Sequence, residues 1–161
     1  MELMKLAEFV GAALQRRGLM LVTAESCTGG WVAQAVTSIP GSSQWFERGF
    51  VTYSNSAKEE MLGVSGATLE QHGAVSEQAV AAMVTGALNH SHAQVALAIS
   101  GIAGPDGGSL EKPVGTVCLA WGLKDQPAIT QRLRLSGDRQ EVRRQAVIYA
   151  LNGLLELLSD E

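Results

Sequence analysis

Basic residues are scarce in this sequence: 12 lysines and arginines against 16 acidic residues leave a formal net charge of −4 over 161 residues. A nucleic-acid surface shows as a basic patch or excess, so this balance argues against direct DNA or RNA contact. Long apolar runs are also missing. No stretch approaches the roughly 20 residues of a membrane span, and Glu2, Lys5, Glu8, Arg16 and Arg17 break up the first eighteen residues, which lack the apolar core of a signal peptide. Only two cysteines are present, Cys27 and Cys118, without metal-ligand spacing. Both are expected as reduced thiols in a cytoplasmic protein. Histidine is limited to His72, His90 and His92, none in a segment resembling a catalytic motif, and no G-x-S-x-G elbow occurs. No cluster has the spacing of metal ligands, so neither metal nor cofactor is expected. No repeat, low-complexity tract or linker divides the chain, and a single domain over 1–161 is expected, long enough for a sizeable core.

What is present is an alternation of helical and strand patterns. Leu3, Leu6, Ala7, Val10, Ala13 and Leu14 recur at spacings of three and four, predicting an amphipathic helix that ends near Gly18. Leu19 to Val22 is too short for a buried helix and reads as a strand feeding the loop Glu25–Gly30, after which Trp31 to Thr37 reads as a helix stopped before Pro40 and Gly41. Phe50, Val51 and Tyr53 predict a second strand, and Ser54-Asn55 caps a helix through Lys58, Met61 and Leu62 to Gly63. Val64 to Gly73 has mixed character. Ser76 caps a helix to about Asn89, and Gln94 to Ser100 is strand-like and enters the glycine-rich segment Gly101–Gly108. Val114–Trp121 and Ile129–Leu135 read as strands, possible hairpin neighbours. Asp138 with Glu141 forms a capping box for a last helix to about Leu158, its apolar face including Val142, Ala146, Tyr149, Ala150 and Leu157. The pattern predicts an α/β protein, a three-layer α/β/α sandwich with a mixed sheet of about five strands. In such sheets ligands collect beyond the carboxyl ends of the strands, where both glycine-rich loops lie if their strands are parallel.

The segment Thr23-Ala24-Glu25-Ser26-Cys27-Thr28-Gly29-Gly30 sets a hydroxyl close to a helix N-terminus, whose free N–H groups carry about half a positive charge. Such a place suits an anion or an oxyanion. Ser26 needs a base to act as a nucleophile. Lys58 is the candidate, since serine–lysine pairs are an alternative to the histidine triad. With Asn55 as the N-cap, Lys58 is at the third helical position, where the dipole disfavours a cation. At the ordinary pKa of about 10.4 only ~1 lysine in 2,500 is neutral at pH 7, so the role requires a closed pocket; a solvated helix lysine is the plain alternative. Tyr53 is placed to relay a proton or orient the lysine through its hydroxyl, or else packs as an ordinary strand aromatic. Cys27 competes with Ser26, because a thiol near a helix N-terminus can have a lowered pKa; otherwise it is a small buried residue. Gly101–Gly108 holds four glycines in eight residues, which lets backbone N–H groups converge on a phosphate or carboxylate, or simply forms a turn. Arg139 and Arg143, four apart, either share a face toward an anion or pair with Asp138 and Glu141.

Six blocks together resemble the CinA C-terminal domain family. They are Ala24-Glu25-Ser26-Cys27-Thr28-Gly29-Gly30, Gly49-Phe50-Val51-Thr52-Tyr53-Ser54-Asn55-Ser56-Ala57-Lys58, Gly73-Ala74-Val75-Ser76-Glu77, the run Ser100 to Gly108, Lys112-Pro113-Val114-Gly115-Thr116-Val117, and Ser136-Gly137-Asp138-Arg139. They cover nearly the whole chain in the family's order. The resemblance implies an anticodon-binding-like α/β/α fold and hydrolysis of the carboxamide of nicotinamide mononucleotide, giving nicotinic acid mononucleotide and ammonia in pyridine nucleotide salvage. It implies Ser26 as nucleophile and Lys58 as its partner, with Tyr53 close to them. Backbone N–H groups at Thr28, Gly29 and Gly30 are expected to hold the oxyanion; Gly101, Ala103, Gly104, Arg139 and Arg143 are expected around the 5′-phosphate. It also implies a homo-oligomer, with a dimer favoured, and no counterpart here of the molybdopterin-binding-like N-terminal domain of full-length CinA proteins. Two other readings remain at this stage: a non-catalytic nucleotide-binding or interaction module linked to competence or DNA damage, and a serine amidohydrolase for another small carboxamide.

Overall fold

The computed structural model of the chain describes residues 2–159. Helix α1, Leu3–Arg17, ends at Gly18 in the left-handed conformation, and strand β1 follows at Leu21–Glu25. The strand runs three residues past the predicted end at Val22. Thr23 and Glu25 look like loop residues by polarity, yet all five positions of β1 are buried, because a central strand is covered on both faces. Helix α2, Trp31–Thr37, crosses to β2, Phe46–Val51, which leaves Tyr53 outside the strand that its sequence pattern predicts. Helix α3, Asn55–Leu62, is capped by Ser54, whose hydroxyl accepts from the Ala57 N–H at 3.0 Å. Lys58 therefore stands at the fourth helical position rather than the third, and its own N–H is already bonded to Ser54 O. The mixed segment that follows contains a short helix, α4, Gly66–His72, capped by Ser65. Then come α5, Glu77–Asn89, β3, Val95–Gly101, β4, Thr116–Leu123, β5, Ile129–Arg134, and α6, Arg139–Ser159.

The sheet order is β2-β1-β3-β4-β5. The first three strands are mutually parallel, and β4 and β5 close the sheet as antiparallel neighbours, the predicted hairpin. One apolar cluster packs α1, α2 and α6 against Leu21, Val95, Leu97 and Ile99. The other packs α5 against Val22, Ala24, Ala96, Ala98 and Ala120, small residues that let the helix lie close to the sheet. In α6 the buried stripe is Val142, Ala146, Val147, Ala150, Leu151, Leu154 and Leu158. Tyr149, expected on that stripe, lies beside it and is 43 % exposed, because a single position shifts a side chain about 100° around the axis.

Gly86 of α5 connects the fold to the site. A Cβ at this position would lie 1.9 Å from Leu62 O, the last residue of α3, so the missing side chain is what lets α3 rest on α5. Gly86→Ala is expected to lower stability by about 1–3 kcal/mol through overpacking and to displace the helix that carries Lys58. Urea denaturation checks the first effect, and the loss of any Lys58-dependent activity checks the second.

Candidate active site

Three parallel strands end at one edge, and their carboxyl ends bring the candidate residues together. Ser26 follows β1 and its N–H donates to Ile99 O of β3 at 3.0 Å; on the other side the Thr52 N–H donates to Glu25 O at 2.9 Å. Ser26 is thus held between its two neighbouring strands. The following segment turns through Gly29 and Gly30, both at positive φ, into α2. Its geometry is fixed by the buried carboxylate of Glu25, which accepts from Thr28 Oγ1 at 2.7 Å, from Val32 N at 2.8 Å and from Ala33 N at 3.0 Å. The positive end of α2 is therefore occupied by Glu25 and is not free for an oxyanion. Sequence reasoning quoted Glu25 within a motif but missed this role.

Lys58 reaches the same place from α3. Its Nζ lies 3.0 Å from Ser26 Oγ and donates to Thr52 O at 2.9 Å and Tyr53 O at 3.2 Å. The side chain is 1 % exposed, and among the described residues no carboxylate contacts it. Burial lowers its pKa from the ordinary lysine value, and this, not the helix dipole invoked from sequence, is the main cause. Ser26 Oγ also lies 3.4 Å from Tyr53 O, a longer contact than that to the amine. Tyr53 contributes its carbonyl rather than its hydroxyl to the lysine. Its ring is 63 % exposed, and the hydroxyl accepts from Arg139 at 3.3 Å.

A cavity of about 240 Å³ opens on this pair, lined by Ser26, Cys27, Lys58, Tyr53 and Arg139, by Gly101 and Ala103, and by Ala74, Val75 and Ser100. The last three were not singled out for chemistry; Ser100 could have been found as the residue opposite Ser26 once β1 and β3 are parallel. Thr28, Gly29, Gly30, Gly104 and Arg143 lie outside the lining. The Gly29 N–H is taken by Ser26 O, whereas those of Cys27, Thr28 and Gly30 have no acceptor in another residue among the described residues. Arg139 donates to Gly104 O at 2.9 Å, tying the glycine-rich loop to the cavity mouth. Arg143 instead holds the Ser26 loop from outside, donating to Cys27 O at 3.0 Å and Thr28 O at 3.4 Å, with its guanidinium 5.6 Å from the Trp31 ring centre. Neither arginine pairs with Asp138 or Glu141: Asp138 caps the Glu141 N–H, and Glu141 pairs with Arg144. Cys27 is buried on the α2 side with its pKa pushed up to about 11 by desolvation, which leaves a thiol rather than a thiolate at neutral pH.

A larger groove of about 580 Å³ between β5 and α6, lined by Ile129, Tyr149 and Glu156 among others, holds no nucleophile–base pair. Among the described residues no group of three or more His, Cys, Asp or Glu gathers to hold a metal ion, and no helix is long and apolar enough to cross a membrane.

Fold and site together define an α/β sandwich with a buried serine–lysine pair at the carboxyl edge of its parallel strands. The model of the CinA C-terminal domain matches residues 3–158, and the chain belongs to that family. It is 61 % identical over 153 residues to a protein named nicotinamide-nucleotide amidohydrolase PncC from Escherichia coli strain K12, covering 95 % of this chain and 93 % of that one. A protein of the same name from Pseudomonas putida is 55 % identical, with 94 % of each chain covered. The crystal structure of a CinA superfamily protein from Klebsiella pneumoniae superposes with a TM-score of 0.96 at 43 % identity and covers 100 % of both chains.

Glu25→Ala is expected to lower stability by about 2 kcal/mol or more, since it removes the shared acceptor of two buried donors and one half-buried donor. Glu25→Gln, which keeps an acceptor oxygen, should recover part of that loss. Urea midpoints of the two variants against the wild type make the comparison.

Proposed function

We propose that the chain is a nicotinamide mononucleotide deamidase. It hydrolyses the ring carboxamide to nicotinic acid mononucleotide and ammonia through an acyl-serine intermediate, in pyridine nucleotide salvage. The observation that carries the reading is the 3.0 Å approach of Lys58 Nζ to Ser26 Oγ in a buried site where no described carboxylate contacts the amine. The names and high identity of the relatives support the substrate.

A neutral amine has two N–H bonds and one lone pair. Thr52 O and Tyr53 O accept the two N–H bonds, so the lone pair is directed at Ser26 Oγ. Lys58 takes the serine proton as Oγ attacks the amide carbon. The oxyanion is received by the Cys27 N–H, which no other described residue accepts and which belongs to the residue of the 27–30 loop that lines the cavity beside Ser26. One such donor is worth roughly two to three orders of magnitude in rate. Lys58, now an ammonium, returns the proton to the departing nitrogen, and water then hydrolyses the acyl-serine. Arg139, with a carbonyl and a phenol as neighbours, keeps its charge for the 5′-phosphate at the cavity mouth. A non-catalytic binding module places no demand on the buried contact between Lys58 and Ser26.

The test is ammonia release from nicotinamide mononucleotide by purified protein in a chelator, beside Ser26→Ala and Lys58→Met. Turnover by the wild type and a loss of about a thousandfold or more in both variants is the expected result. No release from folded wild type sinks the proposal.

The acid limb of the rate should follow Lys58, with kcat/KM rising with pH as the ammonium loses its proton, below the ordinary lysine range. Stability carries the same signature. Between the lowered folded pKa and the unfolded value of about 10.4, the unfolded chain binds the extra proton, so stability rises with pH across that window. Denaturant titrations should show the wild type gaining on Lys58→Met as pH rises, levelling off near the unfolded value. A difference independent of pH would mean that Lys58 is charged in the folded protein.

A further inference from the structure

Ser100 is a buried hydroxyl that the mechanism above leaves unused. β1 and β3 are parallel with Glu25 opposite Ile99, and the Ser26 N–H donates to Ile99 O, so Ser26 and Ser100 stand side by side at the ends of adjacent strands. Adjacent strands lie about 4.8 Å apart. Along β3, Leu97 and Ile99 belong to the cluster under α1, α2 and α6, whereas Ala96 and Ala98 belong to the cluster under α5. The two-residue period carries Ser100 to the same face as Ala98, and α3 brings Lys58 to that face. Ser100 is 1 % exposed and lines the cavity; among the described residues its hydroxyl has no hydrogen-bond partner. Thr23 Oγ1 and Thr52 Oγ1 are also buried without a partner, but neither residue lines the cavity, whereas Ser100 opens on the space where substrate enters.

The loop with the oxyanion donors departs on the opposite face, toward α2. A carboxamide whose carbon meets Ser26 Oγ and whose oxygen turns to that loop has its nitrogen on the side of Lys58 and Ser100. We propose that Ser100 is a specificity-determining residue for the leaving nitrogen, its Oγ accepting one N–H of the substrate's NH2 group. The inference rests on the deamidase reading. Holding one N–H turns the nitrogen lone pair toward Lys58 as the tetrahedral intermediate forms. Lys58 then gives that nitrogen the proton taken from Ser26. The C–N bond breaks with its electron pair on nitrogen, ammonia leaves, and the acyl group remains on Ser26 Oγ. An ester leaving group has no N–H to offer, so Ser100 gives it no such help.

The experiment compares nicotinamide mononucleotide with the methyl ester of nicotinic acid mononucleotide, using wild type, Ser100→Ala and Ser100→Thr. In Ser100→Ala, kcat for the amide should fall roughly tenfold to a hundredfold, while kcat for the ester and both KM values stay within about threefold of wild type. Ser100→Thr, which keeps the hydroxyl, should recover amide turnover. Equal losses on amide and ester, or an undiminished amide rate, would overturn the role of Ser100 and leave the deamidase standing. Wild type that is folded but inactive on the amide would remove the deamidase reading and this inference together.

Discussion

Lys58 carries an amine into the interior among two carbonyl oxygens and a hydroxyl, with no carboxylate in contact among the described residues. An ammonium in such surroundings loses several kcal/mol of hydration, which three neutral acceptors replace only in part, whereas a neutral amine needs only hydrogen bonds, which are present. Burial therefore moves the lysine toward its base form, with a pKa below the ordinary value. A nearby aspartate or glutamate would hold the lysine protonated and leave the proposed mechanism without a base. The same preference gives the pair its direction: with both N–H bonds committed to main-chain acceptors, the remaining lone pair has one hydroxyl to face.

The sheet arranges the groups around that pair. β1 lies between β2 and β3, so the residue after β1 has a neighbouring strand end on each side, with Thr52 on one and Ser100 on the other. From β1 the chain leaves toward the α1, α2 and α6 face, and from β2 it leaves into α3 on the opposite face. Ser26 consequently has loop backbone on one side and Lys58 on the other, a division that the proposed acyl transfer requires and that the crevice at a strand-order reversal supplies. Two contacts hold the halves in place. Glu25 ties the loop to the first turn of α2, and the bare backbone of Gly86 lets α3 settle on α5.

Much of this was legible in the sequence, for identifiable reasons. Helix limits marked by Gly18, Gly63 and Ser76 coincide with the structure because caps are local chemistry. The carboxyl-end position of both glycine-rich loops followed from the alternation of helices and strands. What polarity concealed was tertiary: Thr23 and Glu25 sit in a buried strand, and Tyr53 works through its carbonyl, which no side-chain pattern can reveal. Arg143 looked like an anion ligand by spacing from Arg139, yet one helical turn is enough to send it behind the loop instead of into the cavity. The lowered pKa of Lys58 was expected from a closed pocket with help from the dipole, and burial is the main cause in the structure.

Ser26 and Cys27 are adjacent, and a thiol is intrinsically the better nucleophile, so the choice between them is physical. Leaving a strand turns successive side chains to opposite faces. Ser26 falls on the side of Lys58, while Cys27 packs into the apolar cluster beneath α2, where desolvation pushes its pKa to about 11. Arg143 lowers that value only in part, because its N–H groups are directed at the carbonyls of Cys27 and Thr28. The thiol thus stays protonated, and the hydroxyl has an amine at 3.0 Å to receive its proton. In the proposed mechanism reactivity follows from which side chain the strand turns toward Lys58, against the intrinsic order of the two nucleophiles.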